Sequence, residues 1–167
     1  MKEYEFQEQL NNGKAEEETL DRYFSNRYKI SKVSLDEERA RGIDRRYASK
    51  QDNVTYTVEY KADWTATSTG NAFIETISND ENNTPGWCLK SEAQLLMYYL
   101  PDDKIVYIVD MLKMKGKLRK WRKIYPKKMI PNKVNGRVAY RTHGYCVPLK
   151  EIESVCSSKI NIDDILS

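Results

Sequence analysis

Residues 43–62 limit what this chain can fold into more than any other stretch. Two β-rich runs, residues 43–49 and 54–62, flank the polar turn Lys50-Gln51-Asp52-Asn53. The second run alternates cleanly. Val54, Tyr56, Val58 and Tyr60 fall on one side, and Thr55, Thr57, Glu59 and Lys61 on the other. A period of two is the strand period, so the pair reads as an antiparallel hairpin. With the turn centred between Gln51 and Asp52, Asp44 faces Glu59. Facing residues in such a pair have Cβ atoms roughly 4.5–5.5 Å apart. Lys61 shares the face of Glu59, so two acids and a lysine are expected on one patch.

That combination has a chemical use. Paired carboxylates hold Mg²⁺ through hard oxygen ligands while the ion keeps several waters. A metal-bound water is a stronger nucleophile, and the ion also clamps phosphate oxygens. A nearby ammonium orients the water or stabilises charge developing on the phosphate. These are the parts needed to hydrolyse a phosphodiester. The bland alternative is an ordinary polar hairpin face. Asp102-Asp103-Lys104 offers a competing acid-x-Lys, but it follows Pro101 and lacks an acid-bearing strand before it.

Asp44, a 14-residue gap and then Glu59-Tyr60-Lys61 after an apolar strand resembles the PD-(D/E)XK nuclease superfamily. That superfamily includes restriction endonucleases, Holliday-junction resolvases and phage and repair nucleases. The resemblance covers roughly residues 15–78. It implies an α/β (α+β) fold with a restriction-endonuclease-like mixed central sheet flanked by helices. It also implies a Mg²⁺-dependent (or Mn²⁺-dependent) nuclease, an endonuclease by preference. On the matching positions, Asp44 and Glu59 take the role of metal ligands, the Tyr60 carbonyl adds a backbone ligand, and Lys61 is the catalytic lysine. Ile43 stands where the nominal motif has proline. Two accessory acids are candidates for the same metal. Glu17 is one turn before Leu20 on the first helix, and Glu75 lies on the third strand. Each also reads simply, Glu17 as a helix-terminal acid and Glu75 as a solvated strand residue.

Charge is divided unevenly along the chain. The 167 residues carry 28 Lys plus Arg and 25 Asp plus Glu, for a net charge of +3. Residues 111–150 hold 13 of the cations and no acid, leaving 15 cations against all 25 acids elsewhere. A block of that kind suits a polyanion. Lys113, Lys115, Lys117, Arg119, Lys120, Arg122, Lys123, Lys127, Lys128, Lys133, Arg137 and Arg141 are the candidate phosphate contacts. Such contacts give salt-dependent, largely sequence-neutral affinity. DNA, duplex or branched, is the expected partner, and a homodimer is compatible with cutting two strands. The competing function is a non-catalytic nucleic-acid-binding or interaction module on an inactive nuclease-like fold. His143, the single histidine, reads as structural or as an aid to phosphate or base orientation.

The rest of the chain reads as α, then strands, then α, β, α and β. Helices are expected over residues 15–27, 93–99 (behind a Ser91/Gln94 capping box), 111–125 and 148–155. Strands are expected at 28–33, 72–78, 104–110 and within 138–147, with a charged connection over 34–42. Leu118, Trp121 and Tyr125 (or Ile124) mark the core side of the basic helix. Residues 1–14 are expected to form a flexible arm, 15–157 a single nuclease-like domain, and 158–167 a tail. The beginning of the chain lacks a signal peptide's apolar core, and no apolar run is long enough to cross a membrane. An intracellular, cytoplasmic protein of phage, mobile-element or repair type is therefore expected. Cys88, Cys146 and Cys156 form no metal-binding or CxxC pattern and are expected to be reduced and buried.

Overall fold

The computed structural model describes the backbone of residues 2–165 and the side chains of residues 13–163. In chain order the elements are α1 (Lys2–Phe24), β1 (Tyr28–Lys32), α2 (Leu35–Arg41), β2 (Arg45–Ser49), β3 (Thr55–Ala62), α3 (Ala66–Thr69), β4 (Asn71–Asn79) and β5 (Thr84–Pro85). There follow α4 (Trp87–Lys90), β6 (Leu95–Leu100), β7 (Ile105–Asp110), α5 (Met111–Ile124), β8 (Lys127–Val134), β9 (Arg137–Pro148), α6 (Leu149–Glu153) and β10 (Cys156–Asn161). A 3₁₀ turn over Ile162–Ile165 comes last among the described residues.

A six-stranded mixed sheet, ordered β1-β2-β3-β6-β7-β10, forms the centre. Only the β3–β6 pair in it is parallel. Helix α1 covers one face, where Leu20 and Phe24 pack with Tyr47, Val58, Tyr60, Met97, Tyr99 and Val106. The other face packs against a four-stranded antiparallel sheet, β5-β4-β9-β8, together with α5 and α6. The fold is mixed α/β with a mixed central sheet flanked by helices, as the sequence led us to expect.

The first hairpin forms in the expected register. Arg45 pairs with Val58, Tyr47 with Tyr56 and Ala48 with Thr55. Asp44 lies just beyond this ladder, and its N–H goes to the carbonyl of Val58, the partner of Arg45, so it does not pair directly with Glu59 as the symmetric turn led us to expect. Helix α2 occupies the charged connection. The Ser34 hydroxyl accepts the Glu37 N–H at 3.2 Å to start it, and Gly42 ends it in the left-handed region at φ 59°. Gly42 suits this position twice over. A Cβ there would be strained and would lie 3.0 Å from the Ser91 backbone.

Four expectations need correction. Residues 95–100 form the strand β6 rather than a helix. Leu96, Tyr98 and Leu100 enter one core and Met97 and Tyr99 the other, so the run is apolar because both faces are covered. Ser91 and Gln94 cap no helix. The Ser91 hydroxyl donates to the Gly42 carbonyl at 2.6 Å, and the Gln94 side chain accepts the Thr57 N–H at 3.0 Å. The expected arm at 1–14 has helical backbone from Lys2, continuous with α1, since its Glu, Gln and Leu residues favour helix over the Asn-Asn-Gly break. The expected tail includes β10, which pairs with β7 at the edge of the central sheet.

The basic helix does form, with Asp110 capping it by accepting the Lys113 N–H at 3.0 Å. Met111, Met114, Leu118 and Trp121 are its buried stripe, while Ile124 is exposed and Tyr125 half-buried. All three cysteines are free. Cys88 is buried and its thiol is pushed up to about 11 by that burial, and the other two are half-buried.

Gly86 provides a test of how α4 is seated against β4. Its N–H donates to the Thr76 carbonyl at 2.9 Å, and a Cβ there would lie 2.4 Å from the Glu75 carbonyl oxygen. Gly86→Ala must therefore push β4 and α4 apart. It is expected to cost about 1–3 kcal/mol, read as a lower urea midpoint with an unchanged slope.

Candidate active site

The site is built where β2 begins and β3 ends. Beyond the first ladder pair of β2, the Asp44 N–H donates to the Val58 carbonyl at 2.8 Å. Its carboxylate Oδ2 then accepts the Tyr60 N–H at 2.7 Å. Asp44 is thus held by β3 through both backbone and side chain, and it lines a cleft with Glu59 and Lys61. Alternate residues of a strand present their backbone groups to the same neighbour, so the Tyr60 carbonyl is directed to this same edge.

Period two then divides the neighbours. Val58 and Tyr60 point into the α1 core, while Glu59 and Lys61 point to the opposite face. Lys61 Nζ lies 3.2 Å from Glu59 Oε1, with Glu59 only 5% exposed and Lys61 36%. The second carboxylate oxygen, Glu59 Oε2, is buried and has no hydrogen-bond partner. Asp44, Glu59, Lys61 and Glu75 line one open cleft of about 260 Å³, together with Arg39, Gly42, Trp87 and Lys90.

Burial raises all three acids above their usual range. Glu59 is pushed up to about 7 by burial, with Lys61 pulling it down and Asp44 adding to the rise. For Asp44, burial outweighs the Tyr60 N–H and the Lys61 charge. For Glu75, burial outweighs the Lys61 charge and the Trp87 N–H, which donates to its Oε1 at 3.4 Å. Burial works against the Lys61 ammonium, but Glu59, Asp44 and Glu75 more than reverse it, so its pKa is raised. In each of the three carboxyls, burial thus outweighs the stabilisation that Lys61 supplies.

Among the described residues, no three Asp, Glu, His or Cys side chains form a group able to enclose a metal ion. Mg²⁺ does not need one, because it is commonly held by one or two carboxylates, with waters and substrate phosphates completing the shell. Asp44 and Glu59 fit that pattern, and the unpartnered Glu59 Oε2 is a buried oxygen that a cation would satisfy.

Glu75 joins the cleft from the second sheet. Glu17 does not. Helix α1 lies on the other face, where Glu17 pairs with Arg45 at 2.8 Å. Arg45, which sequence reasoning passed over, is 5% exposed, bonds Asp21 at 3.1 Å and sits 5.2 Å over the Tyr60 ring. The Tyr60 hydroxyl also donates to Asp21 at 2.8 Å. Arg39 and Lys90 are a second omission. They bring cations to the cleft from α2 and α4, from outside the basic block. The competing Asp102-x-Lys104 lies in the β6–β7 turn, where Lys104 pairs with Asp163 at 2.7 Å.

The basic block divides between α5 and the β8–β9 hairpin. Lys113, Lys117, Arg119, Lys120, Lys123, Lys127, Lys128, Lys133, Arg137 and Arg141 are exposed. Lys115 donates to the Ser91 carbonyl, and Arg122 lies 6.0 Å over the Tyr145 ring. No α5 residue lines the cleft. Lys128 lines an adjoining cavity that shares Lys61, Glu75 and Trp87 with it. His143 bonds Asp80 at 3.0 Å through Nε2 and does not line the cleft.

No protein-family model, curated protein or solved structure matches this chain. Among the described residues, no helix is long and apolar enough to cross a membrane.

The raised Glu59 carboxyl sets a pH dependence with a definite sign. A carboxyl raised from 4.5 to about 7 favours folding while both states are protonated, and that advantage is lost as pH rises from the unfolded value through about 7. In the metal-free protein, Glu59→Gln should therefore gain stability relative to wild type between pH 5 and pH 8, by up to about 3 kcal/mol. Urea unfolding in EDTA at the two pH values measures it. A pH-independent difference would show that Glu59 is not held neutral.

Proposed function

We propose that the protein is a Mg²⁺-dependent nuclease that hydrolyses DNA phosphodiester bonds. The observation that carries this reading is the meeting of half-buried Asp44 and buried Glu59 in one cleft, with the Lys61 ammonium against Glu59 and Glu59 Oε2 left unpartnered. Asp44 and Glu59 hold the ion, with the Tyr60 carbonyl as a third oxygen. When bound, Mg²⁺ lowers the pKa of its water and neutralises charge on the phosphate.

The chain's own residues do the remainder. The Tyr60 N–H fixes the rotamer of Asp44 in the cleft that Glu59 also lines. Lys61, kept charged by three carboxylates, donates hydrogen bonds to the attacking water and to a phosphate oxygen. Arg39 and Lys90 at the cleft rim offset the repulsion between an acid-rich site and an anionic substrate. The basic hairpin contributes longer-range attraction.

A non-catalytic DNA-binding module accounts for the basic surface but gives no role to a buried Glu59 held against a lysine with Asp44 in the same cleft. The two readings separate in a cleavage assay on linear, branched and single-stranded DNA with Mg²⁺. Wild type should cleave. Asp44→Ala, Glu59→Ala and Lys61→Ala should each lower the rate by about 100-fold or more. Binding by wild type without cleavage, or cleavage that survives all three substitutions, rejects the catalytic reading.

The hairpin generates a separate expectation. Replacing Lys127, Lys128 and Lys133 by Ala should weaken binding to all DNA sequences alike. The slope of log affinity against log salt should become shallower by about 0.9 for each phosphate that is no longer neutralised. An unchanged slope would place the DNA elsewhere.

A further inference from the structure

The cleft adjoins a second cavity of about 370 Å³ between α3, β4 and the β8 edge of the hairpin. The two share Lys61, Glu75 and Trp87, so whatever fills the second cavity lies beside the lysine. Its size falls at the lower end of ordinary small-ligand sites, roughly 300–1,000 Å³. Trp64, Phe73 and Ile130 supply apolar wall, Thr65, Thr69 and Asn71 supply polar groups, and Lys128 supplies a cation.

Trp64 is the unusual member. It follows Lys61 by three residues and is 48% exposed, although a large aromatic ring normally gains from burial. Nor does it ride on a loose loop. The neighbouring Asp63 accepts the Thr65 N–H, the Thr65 hydroxyl and the Ala66 N–H, each at 2.9 Å. Its other carboxylate oxygen accepts the Tyr98 hydroxyl and the Phe73 N–H. The Asp63 N–H donates to the Tyr99 carbonyl at 2.8 Å. The backbone on both sides of the exposed indole is therefore clamped to the core. An aromatic face held in place at little further entropic cost is well suited to stacking.

We infer that this cavity holds an unpaired nucleobase next to the scissile phosphate, stacked on Trp64 with Lys128 against a neighbouring phosphate. The inference rests on the nuclease reading and names its substrate as single-stranded or branched DNA. A base inside intact duplex must first leave its stack, at a cost of a few kcal/mol, whereas an unpaired base enters freely. Stacking on an aromatic side chain is tolerant of sequence, so base identity matters little here.

The test measures binding in EDTA, where cleavage is off, by fluorescence anisotropy of labelled oligonucleotides. The probes are a single strand, a fully paired duplex and a duplex with a single-stranded flap. Wild type should prefer the first and third. Trp64→Ala should weaken those two by roughly 10-fold or more and leave the paired duplex unchanged, while Trp64→Phe retains most of the affinity. Lys128→Ala should weaken all three alike. Replacing the bases of the flap by abasic sites should lower wild-type affinity to the Trp64→Ala level and have no further effect on Trp64→Ala. Equal loss on paired duplex, or an abasic penalty that persists in Trp64→Ala, overturns the base site. Trp64-dependent binding by a protein that never cleaves with Mg²⁺ supports the base site and rejects the nuclease reading alone. Mg²⁺-dependent cleavage with binding indifferent to Trp64 does the reverse.

Discussion

The buried guanidinium of Arg45 is the contact on which the rest of the arrangement depends. It lies between helix α1 and the central sheet, bridges Glu17 and Asp21, and covers the Tyr60 ring. A cation placed there needs both acids, because a desolvated charge without partners is costly. The arrangement therefore fixes the rotation of α1 and the position of the first strand pair. Arg45 follows Asp44 directly, and Tyr60 separates Glu59 from Lys61. The backbone that carries the candidate catalytic groups on one face is clamped from the other. Sheet geometry turns this clamp into precision, since a strand that cannot twist or slip presents its alternate residues at fixed positions.

The two faces of β3 differ in what they have to satisfy. On the α1 side, aromatic packing and a closed set of hydrogen bonds leave little unmet. On the cleft side, three acids and one lysine sit partly desolvated, and one carboxylate oxygen has no partner. An imbalance of this kind costs stability in the metal-free protein, and a bound divalent cation would relieve it. The second sheet makes that cost possible. It covers the cleft face enough to bury Glu59 but leaves Lys61 partly exposed.

The sequence was legible where one period operates against one core. The β2–β3 register could be read from the alternation of residues 54–61 and a symmetric turn, and Asp44 and Glu59 do reach one cleft, although Asp44 sits beyond the ladder and not directly opposite Glu59. Residues 95–100 were misread because a strand covered on both faces has no polar alternation, and an unbroken apolar run suits a helix equally well. Strand β8 was not anticipated, since Lys-Lys-Met-Ile-Pro-Asn-Lys-Val lies mostly exposed and lacks a hydrophobic period. Glu17 was placed on the correct helix face for packing, but nothing local revealed that Arg45 would engage it. Trp64 gave no signal at all. Its position depends on the Asp63 hydrogen bonds and on a cavity wall contributed by Lys128 and Ile130, far along the chain.

Strand β8 has a consequence of its own. It ends its sheet, so one of its sides offers backbone N–H and C=O groups to any strand that approaches. Such an edge is a template for runaway association unless something blunts it. Here Lys127, Lys128 and Lys133 stand along it, and Pro131 removes a donor from the middle. The charges proposed to draw in a phosphate backbone would also hold off a second copy of the same edge, so one row of side chains would serve both ends.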